Sequence, residues 1–410
     1  VSARYADLAR RYGTPLYVYD LDRALAARRD LRASLPEGVT LYYSFKANPH
    51  PDIARALGSG PAHEACRAEL TSTGELRSAL AAGFRPEECL YGGPGKTSGE
   101  IEVALAAGVR RFSVESHEDL RRVGAAAVQR GLRAECLLRI NSVAPKSSSS
   151  IRMTGTPSQF GFDSETLAPL LPSLLEVEGT RVVGAHFFPL SNAMDEASLV
   201  DEFQRSVAEA ARLRDELGLP VRMLDLGGGF AAPYAVPGER TVYEKTSTEL
   251  AAVLDLHFPG WAEGAPEVAC ESGRYLVGDC GALVASVVNI KQSGGRKFVV
   301  LDAGINTLGG MAGLGRLLPL AVEPVEGVDP ADLEPVSLVG PLCTPGDVLS
   351  RNVHIPSPTE GDLVTIPNTG AYGLTASLLA FLGRPAPTEV VLRGGAVVSV
   401  SRLDTQRVYS

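Results

Sequence analysis

Between residues 25 and 270 the chain alternates two hydrophobic rhythms. Short runs rich in Val, Leu and Phe read as strands: "CLYGG", "RRFSVES", "ECLLRIN", "VVGAHFF", "RMLDLGGG" and "EVACESG". Segments of helical character separate them, among them "PDIARALG", "TSTGELRSALAAGF", "TSGEIEVALAAGV" and "SHEDLRRVGAAAVQRG". Thr97 with Glu100, and Ser116 with Asp119, have the spacing of capping boxes. "ALAAGF" and "ALAAGV" recur at Gly83 and Gly108, each as helix, glycine stop, then strand. A long series of helix-covered strands predicts a parallel barrel or a doubly wound sheet.

After Gly273 the rhythm changes. "YLVGDCGALVASVVNIKQ", "RKFVVLDAG", "GDLVTIPNTG" and "TEVVLRGGAVVSVSR" are β-rich and separated by Gly and Pro, which predicts a mainly antiparallel β-domain. "TPLYVYD" near the N-terminus is strand-like and a candidate for the same domain. Residues 144–159, "APKSSSSIRMTGTPSQ", are polar, small and aperiodic, and are expected to form a mobile loop.

Length fits this picture of two domains: 410 residues exceed one ordinary core. With 45% hydrophobic and 21% charged residues the composition is that of a soluble globular protein. A net charge of -9 argues against a general binder of nucleic acid or anionic membrane. No apolar run reaches the length of a membrane span, and "VSARYADLARRYG" reads as an amphipathic helix without a signal-peptide core. The six cysteines are scattered with no CxxC pair, so they are expected to be reduced, mostly in the core, and the protein cytoplasmic.

Candidate chemistry follows from side-chain parity. In "VTLYYSFK", Val39, Leu41, Tyr43 and Phe45 share one face; Thr40, Tyr42, Ser44 and Lys46 share the other. With the apolar face on the helices, Lys46 points inward at a strand's C-terminal end, where βα barrels keep their active sites. In "VVGAHFFPLSN", Gly184, His186 and Phe188 share a face that would look into the barrel mouth, where flat groups stack on a flat ligand. "LDLGGGF" runs a strand into Gly227, Gly228 and Gly229, a turn whose N–H groups can approach a phosphate. Glu271 in "CESGRYLVG", beside Arg274, could face a pyridine nitrogen. "GPLCTPGD" sets Cys343 in a Gly/Pro turn near Asp347, and "NTGAYG" sets Tyr372 between glycines. Each motif alone also fits a plainer role: a solvated lysine, a core histidine, a tight turn, a surface ion pair, an inert thiol.

Together and in order, "YYSFKAN", "TSTGEL", "GGPGK", "LRIN", "QFGFD", "LDLGGGF", "ESGRYLVG", "LDAG", "GPLCTPGD" and "TGAYG" resemble the fold-type III decarboxylases that use pyridoxal 5'-phosphate (PLP), the ornithine and diaminopimelate decarboxylase family. The resemblance runs over about residues 12–395. It implies an α/β architecture: an alanine-racemase-like (β/α)8 barrel over 25–270, and a β-domain from 1–24 and 271–410. It also implies a homodimer with active sites at the interface. Lys46 then matches the lysine that tethers PLP. His186, Phe188, Ser191, Gly228, Gly229, Arg274 and Tyr372 match cofactor-binding positions, and Glu271 the acid at the ring nitrogen. Cys343 matches the proton donor to the product carbon, supplied across the dimer. Thr344, Asp347 and Arg139 fall on the substrate side.

The departures narrow the substrate. The family's "HxHxGS" reads "HFFPLS", so Phe188 stands where a stacking histidine is usual. Thr344 stands where an acid usually binds a distal ammonium, and Gly309 and Gly310 lie where diaminopimelate decarboxylases carry an arginine. "MTGTPSQFGFD", "HFFPLSN" and "GPLCTPGD" resemble the secondary-metabolism branch, such as the butirosin-pathway enzyme that decarboxylates a glutamyl group on an acyl carrier protein. The expectation is therefore a PLP-dependent α-decarboxylase of an amino acid or carrier-linked aminoacyl group without a distal amine. A diaminopimelate-type decarboxylase, a PLP racemase or epimerase on the same barrel, and a PLP holder without turnover remain alternatives.

Overall fold

The computed structural model describes residues 1–142, 158–188, 190–309, 320–323 and 329–409. Residues 144–157 of the expected mobile loop, and Gly310, lie outside the described residues. The chain divides into two compact units: residues 26–231 with 241–276, and residues 1–25 with 232–240 and 277–410.

The strands in chain order begin with β1 (Leu16–Asp20), which belongs to the second unit. The first unit holds β2 (Thr40–Ser44), β3 (Arg67–Leu70), β4 (Cys89–Tyr91), β5 (Arg111–Val114), β6 (Ala134–Asn141), the two-residue β7 (Phe162–Asp163), β8 (Thr180–Phe187), β9 (Met223–Asp225) and β10 (Glu267–Ser272). All pairings among these nine are parallel, and the ring closes where β10 meets β2, Cys270 opposite Leu41. Closure makes the unit a (β/α)8 barrel, with β7 paired only to β6; the doubly wound alternative falls away.

Helix starts carry the capping signals. Thr97 makes the full reciprocal box with Glu100. At Ser116 only half the box forms. Its hydroxyl accepts from the Asp119 N–H at 3.1 Å, but the Asp119 carboxylate turns to the Glu115 N–H (3.1 Å) and to buried Lys96 (2.7 Å). An ammonium group buried beside it is the stronger partner.

Tyr42, Leu90, Leu137, Val183, Met223 and Ala269 form one buried cluster. They come from strands on all sides of the ring, so the cluster fills the lumen. Val183 is a departure from strict alternation, which placed it opposite His186. The β6–β8 register shifts between Cys136 and Leu137, a β-bulge that turns Val183 inward as well. Gly184 is needed beside it: a Cβ there would lie 1.7 Å from the Met223 carbonyl oxygen.

At the strands' N-terminal ends the barrel is closed by charge. Arg111 grips both Glu267 oxygens (3.2 and 3.0 Å) and reaches Glu135 (3.3 Å); Arg67 pairs with Glu267 and Arg181 with Glu135. All five residues are the first or second of their strands, so this network plugs the face opposite the strands' C-terminal ends.

The second unit is an eight-stranded sheet in the order β14 (Val348–Pro356), β13 (Leu333–Val339), β12 (Arg296–Leu301), β11 (Gly281–Ser293), β1, β16 (Thr388–Arg393), β17 (Ala396–Arg402), with β15 (Leu363–Ile366) also on β11. Only β1–β16 and β12–β13 are parallel. The sheet is therefore mainly antiparallel, and β1 is an interior strand of it between β11 and β16, so "TPLYVYD" joins this domain. Leu8, Leu16, Val18, Val284, Val390 and Leu392 form part of its core.

Candidate active site

The barrel's C-terminal strand ends gather the polar residues. Lys46 sits in the 3-10 turn Phe45–Ala47, directly beyond β2. Its Nζ lies 3.1 Å from Glu69 Oε2 on β3 and 5.3 Å from the centre of the Phe188 ring. The lysine side chain is 36% exposed while Glu69 is buried, so the ammonium is held at its base and open toward the mouth.

The next strands around the ring from β2, namely β10, β9 and β8, supply the acids and the imidazole. Glu271 near the end of β10, Asp225 at the end of β9 and His186 near the end of β8 are all buried, and each offers an atom within 4.8 Å of the others. Asp225 Oδ1 accepts the Gly227 N–H at 2.9 Å. His186 Nδ1 is 2.6 Å from the Ser113 hydroxyl on β5, and its Nε2 is 3.3 Å from Glu271 Oε1. Burial pushes Glu271 well above the usual carboxylate range, and the neighbouring charges of Glu69 and Asp225 push the same way. Burial raises Asp225 to about 7. Burial, helped by Arg139, Lys46 and Lys96, holds His186 well below its ordinary value, so the ring is neutral.

The glycine turn after β9 is tight for a stated reason. Gly227 and Gly229 have φ of +69° and +125°. A Cβ on Gly227 would lie 2.2 Å from the Phe187 carbonyl oxygen, and one on Gly228 2.7 Å from that of Glu271. Ser191 is brought alongside: Ala193 bridges Phe230 and donates its N–H to the Gly229 carbonyl at 2.7 Å. Arg274 opens the short helix that follows β10. Gly273 before it leaves room for Ala47, whose Cβ would be 2.7 Å from an added one.

Arg139 near the end of β6 is paired with Glu115 (2.9 Å) and lies over the rings of Phe160 (4.6 Å) and Phe188 (5.8 Å). Glu115 also accepts the Gly161 N–H at 2.8 Å, which ties the Phe160 segment to β5. Phe188 thus has cations near its ring from Lys46 and Arg139.

Cys343, Thr344, Asp347 and Tyr372 belong to the other unit. Cys343 is exposed, whereas the other five cysteines are buried. Asp347 is buried, and its two oxygens accept the Ile305 N–H (2.8 Å) and the Leu342 N–H (2.7 Å). It therefore pins the turn that carries Cys343. Thr344 Oγ1 accepts the Gly346 N–H at 3.3 Å within the same turn. Tyr372 has a φ of +52°, and its carbonyl accepts the Tyr234 hydroxyl at 2.9 Å.

Parity placed Lys46, His186 and Phe188 toward the barrel mouth and Glu271 was expected at a strand end; the structure brings Lys46 to Phe188 and His186 to Glu271. Parity missed Glu69, Ser113, Asp225 and Glu115. Glu69 in "RAEL" and Asp225 inside the quoted "LDLGGGF" look like any other acid along the sequence, and nothing in "RRFSVES" marks Ser113.

The residues fit PLP on their own chemistry. Glu271 Oε1 is buried without a hydrogen-bond partner, as a site for a ring N–H requires. A lysine amine stands near it, and the glycine turn is a bare-backbone cradle of the kind that takes a phosphate.

Residues 21–278 match the family model described as "Pyridoxal-dependent decarboxylase, pyridoxal binding domain". The chain is 32% identical to the L-glutamyl-[BtrI acyl-carrier protein] decarboxylase of Niallia circulans, over 98% of this chain and 94% of that one. It is also 32% identical to the diaminopimelate decarboxylase of Archaeoglobus fulgidus, over 95% and 90%. Among solved structures, diaminopimelate decarboxylase from Helicobacter pylori complexed with L-lysine superposes with a TM-score of 0.80 at 26% identity, covering 97% of this chain and 95% of that one.

Proposed function

Since the chain belongs to the pyridoxal-dependent decarboxylase family, we propose that it removes the α-carboxylate from an amino acid or a carrier-linked aminoacyl group that has no distal amine. The observation that carries this reading is Thr344, an uncharged residue where the family's usual acid would bind a distal ammonium. The glutamyl-carrier relative supports it, while the diaminopimelate relative at the same identity makes that amino acid the control substrate.

Bound PLP supplies an electron sink for the pair left on Cα when CO₂ departs. The chain's own residues do the rest. Lys46 would tether the cofactor, and Glu69, 3.1 Å from its Nζ, would hold the lysine amine in place whenever the substrate amine has replaced it. Glu271 would accept the hydrogen bond of the protonated ring nitrogen. The N–H groups at Gly228 and Gly229, with Ser191, Arg274 and Tyr372, would hold the phosphate. Phe188 covers the ring with a face that has no hydrogen-bonding group. Cys343, exposed on its turn, delivers the proton to Cα in the site of a second copy of the chain. Arg139 lies on the substrate side, and its pair with Glu115 sets the direction of its guanidinium.

Mass spectrometry of candidate amino acids and carrier-bound aminoacyl groups tests this directly. Loss of CO₂ from an uncharged or acidic substrate supports it. Efficient turnover of free lysine, ornithine or meso-diaminopimelate would reject it.

A further inference from the structure

The buried pair Ser113 and His186 takes no step in the chemistry above, yet His186 faces the key carboxylate. Ser113 is 1% exposed, and its hydroxyl is 2.6 Å from His186 Nδ1. His186 Nε2 is 3.3 Å from Glu271 Oε1, and neither of those two atoms has an aligned hydrogen-bond partner. A neutral imidazole has one donor and one acceptor nitrogen. Opposite the protonated ring nitrogen of bound PLP, Glu271 is a carboxylate, and a bare imidazole nitrogen facing its oxygen at this distance repels it, whereas an N–H attracts it. With Nε2 as the donor, Nδ1 is bare, and Ser113 must be the donor to it.

We propose that Ser113 and His186 are positioning residues: together they fix the Nε2–H tautomer, which faces Glu271 Oε1 with a donor and leaves that oxygen's second lone pair for the ring nitrogen of PLP. This rests on the PLP-binding reading of the site. The charged groups around the imidazole are Glu271 and Asp225, each with an atom within 4.8 Å, and the cations Arg139, Lys46 and Lys96. A neutral donor steadies Glu271 without competing for it as an imidazolium would.

Histidine labelled with ¹⁵N in the PLP-loaded protein reads the tautomer. There are six histidines, and His186→Gln identifies the signal. The expected result is a neutral ring with Nε2 protonated and Nδ1 bare, unchanged between about pH 6 and about pH 8. In Ser113→Ala the single tautomer is lost; Ser113→Thr, which keeps the hydroxyl, restores it. A wild-type ring protonated at Nδ1, a ring that titrates in that window, or an unaltered signal in folded Ser113→Ala would overturn the proposal. Should Ser113→Ala not fold, the wild-type tautomer alone decides. PLP content measured on the same sample separates the two readings. Absence of PLP sinks the cofactor reading, whereas PLP present with the wrong tautomer sinks only this one.

Discussion

Glu271 concentrates the site's electrostatics. It is 1% exposed, close to two other acids, and unpaired at Oε1. Such a group is stable only as the neutral acid or opposite a positive partner. On the proposed reading that partner is PLP's protonated ring nitrogen. Glu271→Gln keeps the shape but removes the charge, so decarboxylation is expected to fall by about a hundredfold or more while PLP stays bound. Steady-state rates together with the cofactor absorbance check this. An unchanged rate would show that the carboxylate is not at the ring. At this scale much was legible. Lys46, His186 and Glu271 follow from alternation and strand ends. Asp225 and Glu69 did not, because an acid inside a barrel looks like any other acid until the ring closes around it.

Elements decide where those residues can stand. The glycine turn after β9 works because its backbone is pressed between the end of β8 and the end of β10. In Gly227→Ala a Cβ enters at φ +69° and 2.2 Å from the Phe187 carbonyl. The substitution is expected to destabilise by about 1–3 kcal/mol and to lower PLP retention, read as a drop in Tm and in bound cofactor per chain. The charged network at the opposite face makes a contrasting case. Arg111→Met leaves Glu267 and Glu135 with fewer partners in a site about a quarter exposed. A loss of roughly 2 kcal/mol is expected, smaller than for a fully buried pair because water screens it. PLP binding should be unchanged, which separates the stability face from the active face. The helices were readable from caps and periods. The bulge at Val183 was not, since it arises from the fit between β6 and β8 and leaves no mark in local pattern.

For the molecule as a whole, the two units were legible as a change of rhythm after Gly273. The sheet order was not, since β1 pairs with strands more than 250 residues away. That pairing brings a further buried acid into the β unit. Glu389 on β16 accepts the Tyr19 hydroxyl at 3.1 Å, and burial raises it to about 7. Its folded value lies above its unfolded one, so the folded chain binds the extra proton between those values. Stability is therefore lost as pH rises from about 4.5 to about 7, by at most ~3 kcal/mol. Glu389→Gln should raise Tm at about pH 8 and change it little near pH 4.5. A gain that is equal at both pH values would contradict this account of the group.

The central claim is that Lys46 carries the cofactor, and covalent trapping tests it most directly. Borohydride reduction of the purified, PLP-loaded protein, then digestion and peptide mass spectrometry, locates the reduced pyridoxyl group. The account predicts it on the peptide containing Lys46, and its absence from Lys46→Ala. A pyridoxyl group on Lys96 or any other lysine, with Lys46 unmodified, would contradict it.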